Sequence, residues 1–197
     1  IDRMATILAA SDRIRYLTPD LHAEMVGELR WPGDPSPDTG VDIRSLEMAP
    51  GEFAVVDILR RPDVMAHLAR WNAGSALGED TRRQVAASSA MAVISVAGDT
   101  LTDYARGGCA VEAVWITAQQ HGLAVAPISP IFLYAHSCED LAEVSKAFGD
   151  ELKDLQDEFN RLAGISPGDV PVLTLRLAAS EPASVRSRRD PDRVYLR

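Results

Sequence analysis

The sequence predicts an α+β domain in which a small central sheet is covered by helices. Three observations carry this. Helical patterns outnumber strands along the chain. The two best strand candidates, 91–97 (MAVISVA) and 170–178 (VPVLTLRLA), lie far apart. Strands and helices also lack the regular alternation of a doubly wound sheet. With 197 residues, 46% of them hydrophobic, the chain is long and apolar enough for one domain with a real core.

The elements follow in order. Residues 2–10 read as the end of a helix with Met4, Ile7 and Leu8 on one side, broken at Ser11-Asp12. Thr18 is then a good N-cap with Pro19 at the first helical position. That helix, to about Arg30, carries Leu21, Met25, Val26 and Leu29 at helical spacing. The Pro-, Gly- and Asp-rich stretch 31–40 (WPGDPSPDTG) is a loop and the expected internal boundary or flexible connection. A short strand is expected at 45–48. Two short helices are expected within 50–72, the second starting at Pro62 and carrying Val64, Met65, Leu68 and Trp71. Residues 74–78 break the pattern. A helix from Glu79 to about Ser89 has acidic residues in its first turn, as the helix dipole favours.

The stretch 104–131 organises the second half of the chain. Its helical part carries Gly107, Gly108, Cys109, Ala110, Val111, Ala113, Val114, Trp115, Ile116 and Ala118, with no broad polar face. Such a helix is expected to be buried in a core or an interface. Gly122 stands where a left-handed C-cap glycine belongs, with Leu123 as its hydrophobic partner. Residues 123–126 suit a short buried strand, stopped by Pro127 and Pro130. One or two helices are then expected over 137–148 and 150–163, interrupted at Gly149, the second stretch charged on one side and presenting Leu152, Leu155, Phe159 and Leu162 on the other. The strand 170–178 leads into a basic, proline-interrupted arm, 178–197.

Charge and composition exclude several classes. A formal charge of −9 argues against nucleic acid, which usually needs a basic face. No apolar run approaches the roughly 20 residues that span a bilayer, and no signal peptide is evident, because Arg3 precedes too short an apolar stretch. Cys109 and Cys138 show neither metal spacing nor CxxC, which suits free thiols in a reducing cytoplasm. There is no GxGxxG after a strand, no HExxH and no GxSxG. His22, His67, His121 and His136 are far apart in sequence and read as surface or capping residues. Two arginine clusters remain: Arg13 with Arg15, and Arg186 with Arg188 and Arg189. Arginine forks bind phosphate oxygens bidentately, so the clusters could converge on one phosphate. On the residues alone they read more readily as solvated charge, with Asp12 and Asp190 as local partners.

Three segments together resemble a known family. The opening SDRIRYLTPDLHAEM, with its arginines before a proline-started helix, is similar to the start of nitroreductase-like FMN domains. The stretch 107–130 resembles the central helix of that family and its loop against the flavin. VPVLTLRLA followed by PASVRSRRDP resembles its last strand and terminal basic pair. More narrowly, the order of these segments and ELRWPG is similar to the C-terminal half of Acg-type nitroreductase-like proteins of mycobacteria and relatives.

The resemblance implies a nitroreductase-like fold for 1–197, with 41–72 as a lid-like insertion. It implies FMN as cofactor, NAD(P)H as electron donor and a nitroaromatic, quinone or similar small-molecule acceptor. Arg15 would contact the FMN phosphate, with Arg13 at a position where the family has a small residue. Arg188 and Arg189, with Arg186 beside them, would reach the same phosphate. Pro127, Ile128 and Ser129 would lie beside the flavin ring. The flavin carries the hydride in this family, so no catalytic side chain is implied. The family's Asn-x-Gln segment, contributed across a dimer interface, is absent; ELRWPGDPSPD stands there instead. A second nitroreductase-like domain, fused or as a homodimer partner, would complete the site. A covered, flavin-sequestering site and a structural half-domain without turnover are the alternatives.

Overall fold

The computed structural model describes residues 1–33, 40–46, 48–181 and 185. Arg186, Arg188 and Arg189 lie outside the described residues. In chain order the elements are α1 (Asp2–Leu17), α2 (Pro19–Glu28), β1 (Leu29–Arg30) and β2 (Val41–Asp42), then a 3-10 turn at Ile43–Leu46. Next come α3 (Pro50–Leu59), α4 (Pro62–Arg70), α5 (Glu79–Ala86), β3 (Ala90–Ala97), α6 (Leu101–Gln120) and β4 (Ala124–Ile128). A second 3-10 turn (Ile131–Tyr134), α7 (Cys138–Val144), α8 (Gly149–Ala163) and β5 (Asp169–Ala178) complete the α+β chain. The residues form two compact units, one of Ile1–Thr18 with Gly74–Ser180 and one built on Pro19–Ala73. The stretch 41–72 falls within the second unit, which begins earlier, at Pro19.

The first unit holds an antiparallel sheet of order β3-β5-β4. Residue Val93 of β3 and Ile128 of β4 both register with Thr174 of the central strand. The β3–β5 register shifts between Ile94 and Ser95, where Leu173 and Pro171 are their partners and Val172 is the extra residue. A proline inside a central strand is tolerated at such a bulge. Pro127 does not stop β4 as the sequence suggested. It lies exposed within the strand, opposite Leu175. Among the described residues β4 borders only β5, and a missing N–H on its outer side removes no ladder bond.

Helix α1 runs unbroken through Ser11-Asp12, correcting the expected break. Two tertiary hydrogen bonds occupy the side chains that would otherwise compete for the helix backbone. Ile131 N–H donates to Ser11 Oγ at 2.8 Å, and Thr81 Oγ1 donates to Asp12 Oδ2 at 2.7 Å. The core of this unit gathers Ile7, Leu8 and Ile14 of α1 with Val85, Leu141, Leu152, Phe159 and Leu175. Phe132 completes it, its ring centroid 5.2 Å from that of Phe159.

The largest departure from expectation concerns α6. Of its residues only Gly107 and Ala118 are fully buried, and Cys109 and Ile116 are exposed. One stripe faces the sheet, and the rest, left uncovered by the described residues, mixes small residues such as Gly108, Cys109, Ala110 and Ala113 with Arg106 and Glu112. The end of α6 agrees with the sequence. Gly122 has φ +73°, its N–H donates to Gln119 O, and Leu123 N–H donates to Ala118 O, both at 3.0 Å. That is the paired C-terminal closure expected of a left-handed glycine. At the start of α6 the side chains of Thr100 and Asp103 cap each other's backbone N–H.

In the second unit, α3 and α4 form as expected, each beginning with proline. The strand expected at 45–48 is not there: Ser45 and Leu46 lie in the 3-10 turn. Asp42 causes the turn, since its carboxylate accepts Arg44 N–H and its carbonyl accepts Ser45 Oγ–H. The pairing residues come earlier, with Leu29 opposite Val41 in a short parallel bridge. Gly40 enters that bridge at φ +76°, and a Cβ there would sit 2.3 Å from Glu28 O. His22, read from sequence as a surface or capping residue, is instead 2% exposed, its Nε2 2.8 Å from Leu59 O. The helix carrying it ends at Glu28, because Leu29 and Arg30 join the bridge. Similarly the helix expected at 137–148 ends at Val144. Gly149 follows where a Cβ would come 3.2 Å from Ala142 Cα, so the turn allows α7 and α8 to approach closely.

Candidate functional site

Continuity of α1 decides what its arginines can do. Residues two apart on a helix point about 200° apart and do not share a face. Arg13 therefore turns toward α8, with its guanidinium 3.7 Å from Glu151 Oε1 and 5.6 Å from the Phe148 ring centre. Arg15 turns the other way, and its Nη2 donates to the carbonyl of Ser129. Ser11, one turn before Arg15, receives the Ile131 N–H. One face of α1 thus grips both ends of the segment 129–131. From its far side, Gln156 Nε2 donates to Phe132 O at 2.8 Å and Ala135 O at 2.9 Å. The loop after β4 is held at four carbonyl or amide groups by three side chains.

Among the sequence-predicted residues, Arg15 and Ser129 are in direct contact. Ile128 lies next to Ser129 and opposite Thr174, whereas Pro127 is exposed on the outer strand. Arg13 does not join them.

Beside this loop the sheet carries two groups that the sequence reading did not single out. Thr174 is fully buried, and its Oγ1 has no hydrogen-bond partner among the described residues. The same holds for the buried Nε of Arg176. Both belong to β5, two residues apart and therefore on one face. Leu177, on the alternate face, lines an apolar groove of about 440 Å³ with Val114, Ala118, His121 and Leu123. Thr174 and Arg176 hence face away from α6. An unpartnered buried donor costs about 1–3 kcal/mol, and burial pushes the Arg176 guanidinium below its usual pKa. The available signal was an arginine and a threonine at alternate positions inside VPVLTLRLA.

The surrounding charges form one electrostatic group. Burial pushes Asp12 up, opposed by the Thr81 bond and by Arg15. Tyr16 is pushed up to about 12, first by burial and then by the charges of Asp12 and Asp80. Asp80 also acts on Arg176, but its carboxylate is held by Arg83 at 3.1 Å and Gln84 at 2.6 Å. Among the described residues no His/Cys/Asp/Glu group is arranged to hold a metal ion. Cys109 and Cys138 are free thiols, both exposed, correcting the burial expected of Cys109. No helix among the described residues is long and apolar enough to cross a membrane.

The chain is 59% identical over 189 residues to a protein of Mycobacterium tuberculosis (strain CDC 1551 / Oshkosh) described as "Uncharacterized protein MT1398". The match covers 96% of this chain and 26% of that protein, so the chain spans about a quarter of the length of the curated relative it matches. No family model matches the chain. No solved structure matches it either.

Proposed function

We propose that this chain is an FMN-binding flavoprotein domain of the nitroreductase type, acting in NAD(P)H-dependent reduction of nitroaromatic, quinone or similar acceptors. The observation that carries the reading is the bond from Arg15 to the Ser129 carbonyl, which joins two segments 114 residues apart. These are the two segments that the resemblance assigns to the flavin's phosphate and its ring. The donor set supports an anionic, acceptor-rich ligand: the Arg15 guanidinium, the half-buried Arg176 and the unpartnered Thr174 hydroxyl. Arg15 would hold the phosphate and orient the loop, and the stiff segment 127–130 would back the ring. The flavin, when bound, supplies the hydride-transfer chemistry. The test is the absorption spectrum of the purified protein and an FMN titration followed by fluorescence. A colourless protein whose addition leaves FMN fluorescence unchanged would sink the reading. Turnover with NAD(P)H and a panel of acceptors separates an active flavoprotein from one that sequesters flavin.

A second reading, a half-domain that works only when paired, is favoured by the exposed small-residue face of α6. Reaction of Cys109 with a thiol reagent tests it. Protection of Cys109 when a second nitroreductase-like domain is added, against free reaction of the chain alone, supports pairing through that face; equal reaction in both overturns it.

A further inference from the structure

We propose that Arg176 and Thr174, on the face of β5 away from α6, form a binding site for a phosphoryl oxyanion. Nothing in the resemblance assigns either residue, and the inference stands or falls separately from the flavin reading.

The argument starts from the two orphaned groups. The Nε edge of a guanidinium is half of the fork that binds an oxyanion bidentately, the other half being an outer nitrogen. Here Nε is buried without a partner, while the side chain as a whole is only half buried. An acceptor that enters beside the exposed part of the side chain and displaces what covers Nε completes the fork. The Thr174 hydroxyl, two residues earlier on the same face, supplies a second buried donor. Arginine has no acceptor capacity, so the ligand group must be an acceptor, and a positively charged donor selects an anion.

The charges facing the site permit this. Arg15, the other cation, is bound at Ser129, next to the β4 residue that pairs with Thr174. Of the two carboxylates, Asp12 accepts from Thr81 and Asp80 from Arg83 and Gln84. Neither closes an ion pair with Arg176 among the described residues. Tyr16, held protonated by its surroundings, brings no charge at neutral pH. The oxyanion has two sources, the phosphate of FMN and inorganic phosphate or another phosphomonoester, and the experiment distinguishes them.

Binding is measured by calorimetry on the chain and on Thr174→Val and Arg176→Gln, with inorganic phosphate, FMN and riboflavin, against chloride at matched ionic strength. Phosphate is expected to bind the unaltered chain, and each substitution is expected to weaken it by about tenfold or more. Thr174→Val removes an unpartnered hydroxyl at nearly constant volume, so without ligand its melting temperature should be unchanged or raised. Weaker binding in a variant that is no less stable is a signature that loss of folding does not produce. Failure of phosphate to bind the unaltered chain overturns the proposal, as does equal affinity in Thr174→Val. If FMN binds and riboflavin does not, and both substitutions weaken FMN, the flavin phosphate is the source. Phosphate binding with no flavin binding sinks the flavin reading alone. FMN binding that neither substitution changes, without phosphate binding, sinks this proposal alone.

Discussion

The partner of Arg15 is a carbonyl, so the bond orders the side chain without neutralising it. That distinction sets what its removal does. Arg15→Ala should lose a charge-assisted bond worth about 1.5–3 kcal/mol and, on the flavin reading, lower FMN affinity by about tenfold or more; fluorescence titration measures it. Unchanged affinity would remove Arg15 from the site. Tyr16 gives a pH test. Its ordinary value is 10, and the folded chain raises it to about 12. A raised acid stabilises the fold fully below its unfolded pKa, and that contribution is lost as pH rises through the folded one. Stability should therefore fall between about pH 10 and 12 by roughly 2–3 kcal/mol, and Tyr16→Phe should remove most of this limb, the remainder belonging to groups such as Tyr104, also raised by burial. The denaturation midpoint against pH reads it directly. The sequence pointed to Arg15 and Ser129 because runs of charge and of proline are visible locally. It paired Arg13 with Arg15 wrongly in space, because Ser11-Asp12 looked like a helix break, and those side chains are engaged across the fold. Arg176 was passed over because a strand is read for its apolar residues.

Helix α6 shows what composition cannot decide at the scale of an element. Small and apolar residues on every side suit a helix buried all round, but they equally suit one packed on a sheet along a single stripe. Which holds depends on what else lies near, and that is tertiary information. By contrast its C-terminal end was legible, since a Gly-Leu finish is a local signal; the Thr-x-x-Asp start at Thr100 is equally local but was not singled out. Two adjacent glycines turn the stripe into a prediction of opposite signs. A Cβ on Gly107 would come 2.6 Å from Val172 Cγ2 and 3.2 Å from its Cβ, which a branched side chain beside the bulge cannot clear. A Cβ on Gly108 meets nothing within 4 Å. Gly107→Ala gains about 1 kcal/mol of helix propensity and loses about 1–3 kcal/mol to overpacking, for a net loss of about 1 kcal/mol. Gly108→Ala should gain up to about 1 kcal/mol. Urea unfolding of the two variants reads the pair, and a stabilised Gly107→Ala would mean that α6 and β5 pack less closely than described.

For the molecule as a whole, the α+β class and the three strands of the sheet were legible because apolar runs bounded by glycine and proline are hard to place elsewhere. The division near Pro19 was not, since a helix break at Thr18-Pro19 reads the same whether the chain continues one unit or begins another. Strand register, the bulge at Val172 and the burial of His22 also lay beyond the sequence, each being set by a distant partner. The sheet's two edges differ in a way with consequences outside the folded state. Among the described residues Pro127 sits on one edge, whereas the other, Ala90–Ala97, offers eight residues without proline or charge. An unguarded apolar edge of that kind is a template for another chain. Heating should therefore end in β-rich aggregates rather than in a reversible transition. Ala97→Lys, at the exposed end of that edge, should lower light scattering after heating and leave the melting temperature within about 1 °C, since an exposed substitution changes stability little. Scattering that is unchanged would place the sticky surface elsewhere. Left open among the described residues, β3 makes the solubility of the warm chain depend on one strand's missing gatekeeper.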